Sequence, residues 1–131
     1  MSEPFNQRVF EQRELHGRRQ LVHSGLVLPV ATARERFGVN PEVMSQLLLK
    51  RRVLTVDVDS EQYVPAFYLS AELDRRKLED VAQLLGDVSG WSKYQFFTTP
   101  KASLNGLTPL DALKRGMVEE VKDAATAFTG P

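Results

Sequence analysis

A run of polar and basic side chains between Asn40 and Arg52 carries the chemistry of nucleic-acid recognition. The amide of Gln46 can pair with two hydrogen-bonding atoms of adenine in the DNA major groove. The cations that follow it can hold backbone phosphates, which position a protein on a duplex without reading its sequence. The candidate DNA-contacting residues are Asn40, Ser45, Gln46, Lys50, Arg51 and Arg52.

The sequence offers little for catalysis or metal binding. It contains no Cys, and its two His residues, His16 and His23, have no carboxylate pair at ligand spacing nearby. Asp57 and Asp59 would share a face of a strand, but carboxylates next to a turn are typical of solvated positions. Nucleophile-elbow and phosphate-loop motifs are absent. We therefore expect no enzyme activity, no catalytic residue, no cofactor and no metal.

Two short helices are predicted to position the candidate DNA-contacting residues. The first begins near Thr32 and ends at Gly38. The second has Asn40 as its N-cap and Pro41 at its first position, and it continues to about Arg51. A pair of short helices joined by a Gly-containing turn is typical of a helix-turn-helix.

A β-hairpin is predicted directly after these helices. The β-branched residues between Val53 and Val58 favour a strand, and residues 59–61 form a polar turn. A second strand follows at Gln62–Val64, and Pro65 closes it. This order of elements resembles small winged or excisionase-like DNA-binding modules, in which the hairpin is the wing.

The remaining segments are predicted to be helical. Residues 4–24 are predicted to form a helix, and residues 26–30 are predicted to form an apolar connector. A further helix follows Ser70. It carries a basic cluster, Arg75–Lys77, that we interpret as a solvated face. The predicted fold class is mainly α with one small β-hairpin. A helical arm and winged helix-turn-helix-like module would occupy residues 1–69, and a helical domain residues 70–131. The apolar face of the helix after Ser70 comprises Leu73, Leu78, Val81, Leu84 and Leu85.

Residues of the C-terminal third mark a turn and the ends of two helices. Asn105-Gly106 supplies a turn, and Thr108 is the N-cap of a short helix that begins at Pro109. Gly116 ends that helix, and residues 117–128 form another.

Aromatic residues precede this turn at helical spacing. Trp91, Tyr94 and Phe97 should share one face, so we expect Trp91 to be largely buried; the alternative is an exposed Trp that anchors an interface. The residues that could meet this face are Leu104, Leu107, Leu110 and Leu113.

This arrangement of a Trp, two prolines and a Gly resembles the C-terminal domain of the Xre/MbcA/ParS-type antitoxins, over roughly Leu78 to Gly130. The resemblance implies a bacterial DNA-binding transcription regulator of a toxin–antitoxin system. It also implies that the C-terminal domain binds a protein, a RES-type toxin or another partner. We further expect a homodimer.

Charge leaves a second interpretation open. The net charge is zero, and the predicted recognition helix starts with Asn40-Pro41-Glu42, which removes one backbone donor and places a carboxylate near the phosphates. The alternative is a protein-interaction module that has lost DNA binding. No apolar run approaches the length of a membrane span, and the N-terminus lacks the apolar core of a signal peptide, so we expect a cytoplasmic protein without membrane contact.

Overall fold

The structure, a computed structural model, describes residues 7–130. Within that range the chain is mainly helical and carries a small antiparallel sheet, which confirms the predicted fold class. Residues 4–6 of the predicted first helix lie outside the described residues. The α-helices are α1 (Gln7–His23), α2 (Val30–Phe37), α3 (Pro41–Leu49), α4 (Arg75–Leu84), α5 (Gly90–Thr98), α6 (Pro109–Lys114) and α7 (Val118–Thr129). The strands are β1 (Val27–Pro29), β2 (Val56–Val58) and β3 (Glu61–Pro65).

The predicted hairpin is formed by β2 and β3. They pair antiparallel, with Val56 opposite Tyr63 and Val58 opposite Glu61. Asp59 and Ser60 connect them with positive φ values of 50° and 67°, as a two-residue hairpin turn requires. Strand β2 is shorter than predicted because residues 53–55 are not in a strand.

The segment predicted to be an apolar connector contains a strand, so that prediction was wrong. Residues of β1 pair antiparallel with β3, with Val27 opposite Pro65 and Pro29 opposite Tyr63. The sheet order is therefore β1-β3-β2. A three-residue strand is too short to show an alternation of polar and apolar positions, and its stability comes from a partner about 36 residues later in the chain.

The two predicted short helices are present as α2 and α3. Gly38 has a φ of 71°, and its N–H donates to the carbonyls of Arg34 and Glu35, which ends α2. The Asn40 side chain accepts a hydrogen bond of 2.9 Å from the N–H of Val43 and so caps α3. The turn between them is also held by the guanidinium of Arg34, which donates to the Val39 carbonyl at 3.1 Å.

One hydrophobic cluster includes residues from both sides of the boundary predicted at residue 70, and the two-part division stays a prediction. Tyr68 lies near the middle of this cluster and is 2% exposed. Its hydroxyl accepts a hydrogen bond from the Leu54 N–H and donates one to the Arg52 carbonyl, each 3.0 Å long. Burial raises the pKa of the Tyr68 hydroxyl well above its usual range.

Helix α4 begins later than predicted, because the side chain of Asp74 caps it by accepting hydrogen bonds from the N–H groups of Arg76 and Lys77. Its buried face includes Leu78 and Val81, as predicted. The prediction was wrong for Leu84, which is 43% exposed.

The predicted helix start at Thr108 and helix end at Gly116 are confirmed. The Thr108 hydroxyl accepts a hydrogen bond of 3.1 Å from the Asp111 N–H at the start of α6. Gly116 has a φ of 79° where α6 ends. Helix α7 then packs against α4 and α6.

Trp91 is half-buried, not largely buried as predicted. Its indole N–H donates a hydrogen bond of 3.0 Å to the carbonyl of Asp57 in β2. The guanidinium of Arg18 lies 4.6 Å from the centre of the ring. Tyr94 contacts the ring edge-on, so these two members of the predicted aromatic face are in contact. Trp91 therefore joins α5 to β2 and α1 at the surface.

Candidate functional site on helix α3

The solvent-facing line of α3 is formed by residues spaced as i, i+4 and i+7. Glu42, Gln46 and Leu49 occupy these positions, and all are exposed, Leu49 by 76%. A recognition helix would present this line to the edges of bases. Glu42 can only accept hydrogen bonds and Leu49 forms none, so Gln46 is the one side chain of this line that offers base edges both a donor and an acceptor.

Among the predicted DNA-contacting residues, Ser45, Gln46 and Lys50 are exposed, and their side chains form no hydrogen bond or ion pair within residues 7–130. Asn40 is also exposed, but its side-chain oxygen accepts the cap hydrogen bond from Val43. Only the amide nitrogen of Asn40 remains for an external contact. The predicted residues on α3 are therefore close together, and most of them are accessible.

Arg51 and Arg52 bind carboxylates of the following helical segment. Arg51 has a φ of 61°, and its guanidinium forms an ion pair with Asp87. Arg52 donates to Glu79 at 3.2 Å and to Asp80 at 2.8 Å. Its side chain is only 21% exposed, and the hydrogen bond to Asp80 is the largest of the effects that raise the pKa of Arg52.

A second layer of contacts fixes this arrangement. The remaining arm of the Arg52 guanidinium donates to the side-chain carbonyl of Gln83 at 3.1 Å. The amide of Gln83 in turn donates to the backbone carbonyl of Lys50 at 3.2 Å. The C-terminal end of α3 is thus attached to α4. Of the predicted phosphate-binding cations Lys50, Arg51 and Arg52, Lys50 alone has no intramolecular ion pair in the described range.

The β2–β3 hairpin is acidic. Asp57, Asp59 and Glu61 are exposed, and residues 56–65 contain no Lys or Arg. Arg19 of α1 donates two hydrogen bonds to Asp59, at 2.9 and 2.7 Å, and thereby lowers the pKa of that carboxyl. Exposed carboxylates on a hairpin repel the phosphates that a wing would otherwise contact.

An apolar groove runs along the side of α3 that faces α4. Its floor is Val39, Val43 and Leu47, and a cavity of about 490 Å³ opens above them. A neighbouring cavity of about 320 Å³ shares Val43 and Leu47 and extends to Lys50. The α4 side of the groove is lined by Asp74, Arg75, Arg76 and Glu79.

Sequence reasoning missed both the ion pairs of Arg51 and Arg52 and the groove. The carboxylates that bind Arg52 lie 27 and 28 residues away, so no local spacing links them to it. A weak signal was the Glu79-Asp80 pair within an otherwise amphipathic helix, because Glu79 is 6% exposed and a buried carboxylate needs a cationic partner.

No family model, no curated protein and no solved structure matches this chain. Among the described residues, no helix is long and apolar enough to cross a bilayer. In the same part of the chain, no three His, Cys, Asp or Glu side chains are grouped so that they could hold a metal ion.

Proposed function

We propose that the chain is an antitoxin-like regulator that acts by binding another protein, and that its helix-turn-helix-like pair presents a protein-binding surface. The observation that carries this proposal is the engagement of Arg52 by Glu79 and Asp80, while the more exposed Arg51 forms a surface ion pair with Asp87. Arg51 and Arg52 are two of the three cations placed to hold DNA phosphates.

Charge around α3 supports the same conclusion. Non-specific DNA affinity comes almost entirely from cations that displace counterions from phosphates. On the α3 surface, the unpaired Lys50 is offset by the exposed Glu42. The hairpin predicted as a wing adds the exposed carboxylates of Asp57 and Glu61, and that of Asp59 is paired with Arg19. The surface expected to face a duplex therefore lacks the positive excess that DNA binding needs.

The C-terminal half supplies the family aspect of the proposal. The resemblance to Xre/MbcA/ParS-type antitoxins implies a RES-type toxin as a partner of the region from Leu78 to Gly130. The turn at Asn105-Gly106 and the cap at Thr108, which carry part of that resemblance, are formed as expected. We extend the proposal to a homodimer in the cytoplasm, as expected for such regulators.

DNA titration of the full chain tests the proposal. Fluorescently labelled genomic fragments are incubated with the protein at low salt, with and without competitor DNA, and anisotropy is recorded. We expect no fragment to be retained against competitor. Retention of specific fragments, with an affinity that falls steeply as salt rises, would contradict the proposal, because several phosphate contacts are needed for such a slope.

A DNA-binding regulator remains the second candidate, favoured by the exposed and unpaired Ser45, Gln46 and Lys50 on one short helix. If this candidate is right, Gln46→Ala changes the preferred sequence, and Lys50→Ala weakens binding to all sequences alike. Lys77→Ala is the control, because it removes one exposed cation from a different helix.

A further inference from the structure

We propose that the groove between α3 and α4 binds an amphipathic helix of a partner protein, and that the partner helix carries carboxylates beside its apolar face. The inference rests on the proposed function, since it names the surface and the chemistry of a protein partner. It places the partner between α3 and the first turns of α4, at the N-terminal edge of the region that resembles the toxin-binding domain.

The floor of the groove has the geometry of a helix-binding surface. Val43 and Leu47 are one turn apart on α3, and Val39 lies in the turn directly before this helix, so the three form an apolar stripe. With a rise of about 1.5 Å per residue, Val43 and Leu47 lie about 6 Å apart along α3, and Val39 extends the stripe beyond the N-terminal end of the helix. A partner with apolar residues at i, i+4 and i+7 would place them along it.

The floor is accessible to such a partner. Val43 is 43% exposed, and Val39 and Leu47 are half-buried against the core. The two cavities above the stripe, of about 490 and 320 Å³, share Val43 and Leu47 and are therefore next to each other along α3. Burial of this stripe by apolar side chains removes apolar surface from water, which favours association.

Two of the arginines at the rim of the groove are paired with carboxylates of the same chain. Arg75 is held by Glu79 at 3.2 Å, and its guanidinium lies 4.5 Å from the centre of the Phe37 ring. Arg52 is held by the same Glu79 and by Asp80.

The free cations lie at the two ends of the groove. Arg76 lines the first cavity and Lys50 the second, and within residues 7–130 neither side chain has a hydrogen bond or an ion pair. Asp74 caps α4, which leaves Glu42 as the unengaged carboxylate of the lining. Two free cations at opposite ends of an apolar stripe complement an acidic helix.

Two synthetic peptides are suitable probes. Both have roughly 18 residues, long enough for measurable helicity, with Leu at i, i+4 and i+7. One carries Glu on the flanks of the apolar face and the other carries Lys at the same positions. Each is labelled with fluorescein, its helicity is checked by circular dichroism, and its anisotropy is titrated with the full chain.

We expect the Glu peptide to bind at least about tenfold more tightly than the Lys peptide, as favourable rather than repulsive charge pairs require. Val43→Glu should abolish binding of the Glu peptide, and Arg76→Glu should weaken it about tenfold and reduce the preference for Glu over Lys. Two controls match these changes. Leu84→Glu alters a leucine with the same 43% exposure outside the groove, and Lys77→Glu reverses a charge beside Arg76 that does not line it.

Three results would overturn the inference. They are no binding of either peptide, equal binding of both, and unchanged binding by Val43→Glu when its thermal unfolding matches that of the wild type. A short duplex DNA is the third probe, and if it binds and displaces the Glu peptide, the groove is a nucleic-acid surface. Specific DNA retention would contradict the proposed function, whereas a failure confined to the peptides would contradict only the groove.

Discussion

Gly90 is the position where one added methyl group should disturb the fold most. It is the first residue of α5, where that helix approaches β2. A Cβ at this position would lie 1.8 Å from the carbonyl oxygen of Thr55 and 3.0 Å from its carbon. Both atoms belong to the backbone, so no side-chain rotation can relieve the contact.

The expected cost of Gly90→Ala follows from that overlap. Separating α5 from residue 55 by the more than one ångström that is required must strain β2 or open the aromatic contacts of α5. Overpacking of this kind costs about 3 kcal/mol, which outweighs the roughly 1 kcal/mol that Ala normally gains over Gly inside a helix. For a chain of this size, the melting temperature should fall by about 10 °C.

Thermal and urea unfolding followed by circular dichroism provide the measurement, with Gly17→Ala as the matched control. Gly17 lies in the interior of α1, and nothing lies within 4 Å of an added Cβ. This control should be neutral or stabilise the protein by about 0.5–1 kcal/mol. If both variants melt at the temperature of the wild type, the close approach of α5 to Thr55 is not a feature of the folded protein.

Other substitutions test the polar interactions beneath α3 and α5. Tyr68→Phe leaves the Leu54 N–H and the Arg52 carbonyl without their partner and should cost about 1–3 kcal/mol in urea unfolding. Burial raises the pKa of Tyr68, so the folded state favours its neutral form. Above the ordinary pKa of tyrosine, which is about 10, the wild type should therefore lose stability more steeply than Tyr68→Phe. Arg52→Met leaves Glu79 with Arg75 alone and should lower the free energy of unfolding by about 2–3 kcal/mol, whereas the control Lys50→Met should be neutral. Equal effects of the two substitutions would mean that the Arg52 interactions contribute nothing to stability. Burial is the main cause that lowers the pKa of Lys93, so Lys93→Met should raise the free energy of unfolding at pH 7. This gain should shrink as the pH rises above the lowered pKa of Lys93, because the lysine then loses its charge.

Local signals in the sequence predicted most of the helical elements. Asn40 with Pro41 and Thr108 with Pro109 mark helix starts, because a capping side chain and a proline act within three residues of each other. Gly38 and Gly116 mark helix ends for the same local reason, since each has the positive φ that glycine adopts without strain.

What could not be predicted depends on contacts distant in sequence. Strand β1 exists because β3 pairs with it, and the guanidinium of Arg52 is directed inward by carboxylates on α4. Helical periodicity placed Leu84 on the apolar face, yet it lies at the edge of that face, and only packing decides which edge positions are covered. The predicted DNA-contacting residues are close together on α3 and directly next to it. Which of their cations remain unpaired could not be predicted from the sequence, because that depends on carboxylates distant in the chain.

The attachment of α1 has a consequence for how the protein can be observed. Arg18 contacts the ring of Trp91 and Arg19 binds Asp59, so two exposed electrostatic contacts add to the apolar packing of Leu21 and Val22 that holds this helix. Contacts of this kind weaken as salt rises, whereas the buried cluster does not depend on ionic strength. Trp91 is also the single tryptophan of the chain. Its fluorescence should therefore report the loss of the Arg18 contact as salt rises, and the protein carries this intrinsic probe without any label.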